Sequence, residues 1–120
     1  MFHEMDKLIG IVGPCGAGKT TLANHLNLEG YRVKHIAQEH SYVPYMWQKL
    51  TNTDILIYLE VSYENTLLRR KLTWSQEEFD EQLHRLTHAR QNADLVINTN
   101  LFDAQGVFDT AKHFLQTQPD

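Results

Sequence analysis

The residues Gly13-Pro14-Cys15-Gly16-Ala17-Gly18-Lys19-Thr20 limit this chain more than any other stretch. They match G-x-x-x-x-G-K-[ST] at every position, a pattern with physical meaning only as a turn between a buried strand and a helix. Glycines let the backbone curl round an anion, successive amides then point inward as a nest, and the following helix adds its positive end. The flanks supply that setting. Residues 7–12 (KLIGIV) are a continuous apolar run, suited to a strand buried on both faces of a parallel sheet. After the turn, Leu22, Ala23 and Leu26 recur at helical spacing, and Gly30 is placed to stop the helix.

The rest of the chain alternates in kind. Residues 31–37 (YRVKHIA) mix apolar and polar residues around branched Val33 and Ile36, as a strand nearer a sheet edge does. Residues 41–53 hold Pro44, Tyr42, Tyr45 and Trp47 without a clear period, which predicts a loop with a short helix near residues 46–50. Residues 54–61 (DILIYLEV) give the strongest strand signal after the first. Ser62 as N-cap and Glu64 in the first turn then open a helix at Tyr63 that ends in the cations Arg69, Arg70 and Lys71. Ser75 and Glu78 make a capping box, with Trp74 and Phe79 as its hydrophobic staple, so a further helix begins at Gln76. Phe79, Leu83 and Leu86 form its apolar stripe and Asn92 its end. Residues 93–98 (ADLVIN) read as another short strand. Asp103 caps a last helix with Val107, Phe108, Ala111, Phe114 and Leu115 on one face. This order predicts an α/β fold of three layers: a mostly parallel sheet of about four strands, helices on both faces, and right-handed crossovers.

A length of 120 residues sits near the common size of one domain, so residues 1–120 are expected to share one core. The formal charge of −4 argues against a nucleic-acid surface, which needs clustered Lys and Arg. The single cysteine, Cys15, cannot form an intramolecular disulfide, and the start MFHEMDK lacks the layout of a secretory signal, so a cytoplasmic setting is expected. No apolar run approaches the ~20 residues that span a bilayer, and no membrane partner is expected.

With IGIVGPCGAGKTTLANHL, then ILIYLEVSYENTLLRR, then ARQNADLVINT, the chain resembles the small P-loop kinases: adenylate, shikimate, dephospho-coenzyme A and nucleoside monophosphate kinases. The first block is specific to P-loop NTPases in general; the other two are looser patterns. The resemblance implies the P-loop NTPase fold and Mg-ATP, cradled by Gly13, Pro14, Cys15, Gly16, Ala17, Gly18, Lys19, Thr20 and Thr21. Chemically, Lys19 lies against the β- and γ-phosphates, the Thr20 hydroxyl ligates magnesium, and Thr21 adds a contact to the α-phosphate. The family's lid arginines map onto Arg69 and Arg70, which either neutralise the transferring phosphoryl group or simply offset the helix dipole. Backbone near residues 98–101, with Asn100, is placed to flank the base. Glu39, just past the second strand, is the first candidate for a magnesium ligand or base, an exposed loop carboxylate being the alternative. Glu60 ranks second.

The chain also departs from the family. No Walker B Asp is evident, and few residues separate the second strand from IYLEV, so the acceptor region is truncated or rebuilt from residues 41–53. Tyr42, Tyr45 and Trp47 either stack on an aromatic acceptor or pack over the sheet end. His84 with His88, and His35 with His40, have spacings that let each pair share a metal, but neither pair has an obvious third ligand and solvated histidines are the better reading. Cys15 is either an inert small residue or a point at which oxidation or alkylation blocks ATP. Three functions follow: a small-molecule kinase moving the γ-phosphoryl group to an unidentified acceptor; an NTPase or nucleotide-dependent switch signalling to a protein partner; and a nucleotide-binding module without chemistry. A homo-oligomer supplying groups in trans stays open.

Overall fold

A computed structural model describes residues 6–70 and 73–118, except the side chains of Leu50 and Arg70. Lys71 and most of the N-terminal MFHEMDK segment therefore lie outside the described residues. One sheet organises the chain. Its strands are β1 (Leu8–Val12), β2 (Arg32–His35), β3 (Ile55–Glu60) and β4 (Leu95–Asn98), all parallel, in the order β2-β1-β3-β4. The helices are α1 (Lys19–Leu28), α2 (Met46–Leu50), α3 (Tyr63–Arg70), α4 (Gln76–Arg85), α5 (Thr87–Gln91) and α6 (Ala104–Gln116), with 3-10 turns at Gln38–His40 and Thr99–Leu101.

The two-residue period of a strand sorts the core into two layers. On one face Ile9, Ile11, Ile55, Ile57, Leu59 and Ile97 pack against Leu22 and Leu26 of α1 and against Val107, Ala111 and Leu115 of α6. On the other, Val12, Leu56 and Tyr58 meet Trp47 of α2, Leu86 at the junction of α4 and α5, and Ala89 of α5. Because both faces are covered, β1 and β3 are apolar at nearly every position, as a central parallel strand requires. This is the expected α/β layering. Among the described residues no helix is long and apolar enough to cross a membrane.

Two aspartates stand where residues 54–61 and 93–98 begin. Asp54 Oδ2 accepts from Leu8 N–H at 2.7 Å while its own N–H donates to Leu8 O at 2.8 Å. Asp94 repeats the device on Leu56, both contacts at 2.8 Å. Each gives an amide near the start of the neighbouring strand a partner and fixes the register at the sheet's amino-terminal edge.

The largest departures from the sequence expectation are in β2 and in the helix after residue 75. β2 is shorter, because Tyr31 and Ile36 turn into the core on opposite sides of this edge strand. The helix expected over residues 76–92 pinches at Leu86, whose N–H is shared between Gln82 O and Leu83 O while Thr87 Oγ1 bonds Leu83 O. The pinch lets Phe79 and Leu86 serve opposite core layers. Leu83, expected in the apolar stripe, is 37% exposed, and Gln82 is buried instead.

Candidate functional site

The strand order reverses at β1: the chain leaves β1 for β2 on one side and returns to β3 on the other. Sheets of this kind open a crevice at the carboxyl ends of the strands where the order reverses. The glycine-rich turn occupies that crevice. Gly13, Gly16 and Gly18 have φ of 157°, 85° and 95°, and a Cβ on Gly13 would stand 2.6 Å from Leu59 O. Only glycine lets the turn pass so near the backbone of β3.

Lys19 begins α1 and folds back beneath the turn, buried. Its Nζ donates to Gly13 O, to Pro14 O at 3.2 Å, and to Glu39 Oε2 at 2.6 Å. Three acceptors satisfy all three ammonium protons. Glu39 is equally buried, and its second oxygen, Oε1, has no hydrogen-bond partner among the described residues. A buried, unpaired carboxylate oxygen is costly and marks a position awaiting a donor or a cation.

A cavity of about 660 Å³ opens over the turn, lined by Cys15, Gly16, Ala17, Gly18, Lys19, Thr20 and Thr21. His35, Glu39 and His40 close one side of it, and Arg69, Thr99, Phe102 and Asp103 the other. The His35 imidazole is held below its ordinary 6.5 first by burial and then by the Lys19 charge, against an opposing pull from Glu39. Arg69 reaches the cavity from the last turn of α3, with its guanidinium donating to Thr99 Oγ1 at 2.9 Å and to Thr99 O.

Of the residues singled out in the sequence, Lys19, Glu39, Thr20, Thr21 and Arg69 therefore share one cavity with Cys15, Gly16, Ala17 and Gly18. Gly13 and Pro14 shape it from below through their carbonyls. The Arg70 side chain lies outside the described residues. Asn100 does not line this cavity: its Oδ1 accepts from Ser62 N and Asn65 Nδ2, beside a second cleft, and Thr99 and Phe102 face the first cleft instead. Glu60 pairs with Arg90 in that second cleft. Trp47 is core, its Nε1 donating to His88 Nδ1 at 3.0 Å, so His88 is a structural partner and not half of a metal pair with His84. Tyr42 and Tyr45 are exposed, Tyr42 lying under the Arg85 guanidinium at 4.2 Å.

Gln82 was missed. Its Oε1 accepts from Cys15 N–H at 2.9 Å and its Nε2 lies 3.3 Å from Cys15 Sγ, so α4 grips the glycine-rich turn through one amide. Gln82 shares one helix face with Phe79 and Leu86, but that spacing does not point to Cys15. Thr99 was also unmarked, although it ties Arg69 to Glu60 O. No protein-family model matches the chain, and no curated protein is significantly similar to it.

Proposed function

We propose that this chain is a P-loop nucleotide-binding protein of the small-kinase kind, which holds Mg-ATP and passes its γ-phosphoryl group to a small acceptor. The observation that carries this reading is Lys19: a buried ammonium, held under a turn of three positive-φ glycines by two carbonyls and Glu39, at the crevice where the strand order reverses. A triphosphate in the turn would draw Nζ toward its oxygens, and turn amides other than those of Cys15, held by Gln82, and Ala17, held by Pro14 O, would receive it. The unpartnered Glu39 Oε1 and the exposed Thr20 suit a hard cation, so Thr20 and Glu39 would hold magnesium, which neutralises phosphate charge when bound. Arg69 lines the same cavity and needs only to leave Thr99 to add a second positive group. His35, neutral at pH 7, and Glu39 stand on the side where an acceptor hydroxyl would enter, and either accepts its proton.

A second reading, a nucleotide-dependent switch acting on a protein partner, is favoured by one observation. Tyr42 and Tyr45 project to solvent and Trp47 is withdrawn into the core, so the aromatic residues of 41–53 do not build an acceptor wall. Phosphorus NMR of ATP and magnesium with a panel of nucleotide, sugar and cofactor acceptors separates the two, with Lys19→Ala as control. A new phosphoester absent from the variant supports the kinase. Inorganic phosphate alone, equally lost in the variant, overturns it in favour of the switch. ATP left intact and unbound by wild-type protein overturns both.

A further inference from the structure

From the side chains beside the glycine-rich turn, we infer a binding site for a borderline transition metal of the zinc class, made by Cys15, Glu39 and His40. One ligand atom from each, the thiol sulfur, a carboxylate oxygen and an imidazole nitrogen, lie within 4.8 Å of one another. Cys15 Sγ is 3.8 Å from His40 Nε2, and His40 Nε2 is 3.8 Å from Glu39 Oε2. Tetrahedral zinc, with bonds of about 2.0–2.3 Å, sets its ligand atoms about 3.3–3.7 Å apart, so the three need to close by only a few tenths of an ångström to somewhat more than an ångström.

The elements carrying them are differently constrained. Cys15 is held through its backbone by Gln82 Oε1, with Gln82 Nε2 3.3 Å from its sulfur, and Glu39 through Oε2 by Lys19, so in the chain without nucleotide and magnesium Oε1 is the oxygen left to ligate. His40, at the end of its 3-10 turn, is mostly exposed and free to swing. Two anchored ligands and one mobile one give a site that closes on its ion. Sulfur, nitrogen and one carboxylate oxygen form a donor set that selects zinc-class ions; magnesium prefers oxygen alone. All three residues line the cavity, so the fourth position faces it and takes water or an anion. On binding, the Cys15 S–H bond breaks, the metal–sulfur bond forms, and the proton goes to solvent.

The test is a titration of the reduced, metal-free full chain with Co²⁺ alone, followed by its near-ultraviolet thiolate-to-cobalt charge-transfer absorption, then by displacement with Zn²⁺. No nucleotide is present, so the outcome is independent of the nucleotide reading. The expected result is a band saturating at one equivalent, absent in Cys15→Ser, and at least roughly tenfold weaker in affinity in His40→Gln, the low end of what losing even an outer-shell partner costs. His40 is at the surface, so its variant keeps the fold, which circular dichroism checks. No band in the wild-type chain, or a band of unchanged affinity in His40→Gln, overturns the site.

Discussion

Glu39 and Glu60 stand in similar places, each at or just past the carboxyl end of a strand, and each meets a cation at 2.6 Å, Lys19 for one and Arg90 for the other. Solvent separates them. The Lys19 and Glu39 side chains are 5% and 4% exposed, whereas those of Arg90 and Glu60 are 50% and 37% exposed. Burying two charges costs several kcal/mol per ion, of order of what their attraction returns, so the inner pair does not exist to stabilise the fold. Its stability is spent on holding an ammonium and a carboxylate under a glycine-rich turn. The outer pair is an ordinary surface contact, and its geometry alone would mislead a reader who judged both by distance.

The largest test of that contrast is Lys19→Met. It leaves Glu39 buried without its cation and is expected to cost ~3–5 kcal/mol in urea unfolding. Adding Glu39→Leu should return stability to the wild-type level or above it by ~1–4 kcal/mol. A single variant as stable as wild type would show that the inner pair is no more coupled than the outer one. Next, Gly13→Ala should cost more than ~1 kcal/mol, because its Cβ would press on Leu59 O and its φ is positive. Gly18→Ala has the same sign of φ but open space around it, and should lose less. Equal losses would mean that the approach to β3 is not what fixes the turn.

Each pair also has a titrating neighbour, and the two act at opposite ends of the pH scale. The unfolded chain protonates His35 near 6.5 while the folded chain resists to lower pH, so stability should fall as pH drops below 6.5. His35→Gln should remove that part of the slope. The Tyr58 phenol is pushed up from 10.0 to about 12, first by burial and then by Glu60, with Arg90 opposing. Its contribution is complete below pH 10 and is lost as pH rises from there toward 12; Tyr58→Phe should flatten this alkaline limb in thermal melts across pH. The smallest effect belongs to Arg90→Gln, expected within ~1 kcal/mol and shrinking further in salt. A loss comparable to that of Lys19→Met would erase the contrast between the two pairs.

What the sequence disclosed follows the range of the forces involved. The Ser75–Glu78 capping box, the Asp103 cap and the staple of Trp74 on Phe79 act within a few residues, and each is present in the structure. The four strands were legible because period and apolar runs are local too. Gln82 gripping Cys15 across 67 residues, and Arg69 turning to Thr99 across 30, depend on how elements meet and left no local mark. The pinch at Leu86 was hidden for the same reason: no Gly or Pro signals it, since it serves two core layers at once. Asn100 itself lies beside the second cleft, because the 3-10 turn after β4 places Thr99, not its neighbour, in the wall of the first.

The twin aspartate clasps at the start of β3 and β4 have a mechanical reading. A force that peels the sheet from its amino-terminal edge must rupture a side-chain tether at Leu8 and another at Leu56 before the ladder itself begins to unzip. At the carboxyl edge Thr99 Oγ1 ties β4 to Glu60 O of β3, but among the described residues no side chain fastens β1 to β3 there. Tension is therefore expected to part β1 from β3 at the cleft end first, so an occupant of the cleft would double as the missing fastener of that seam.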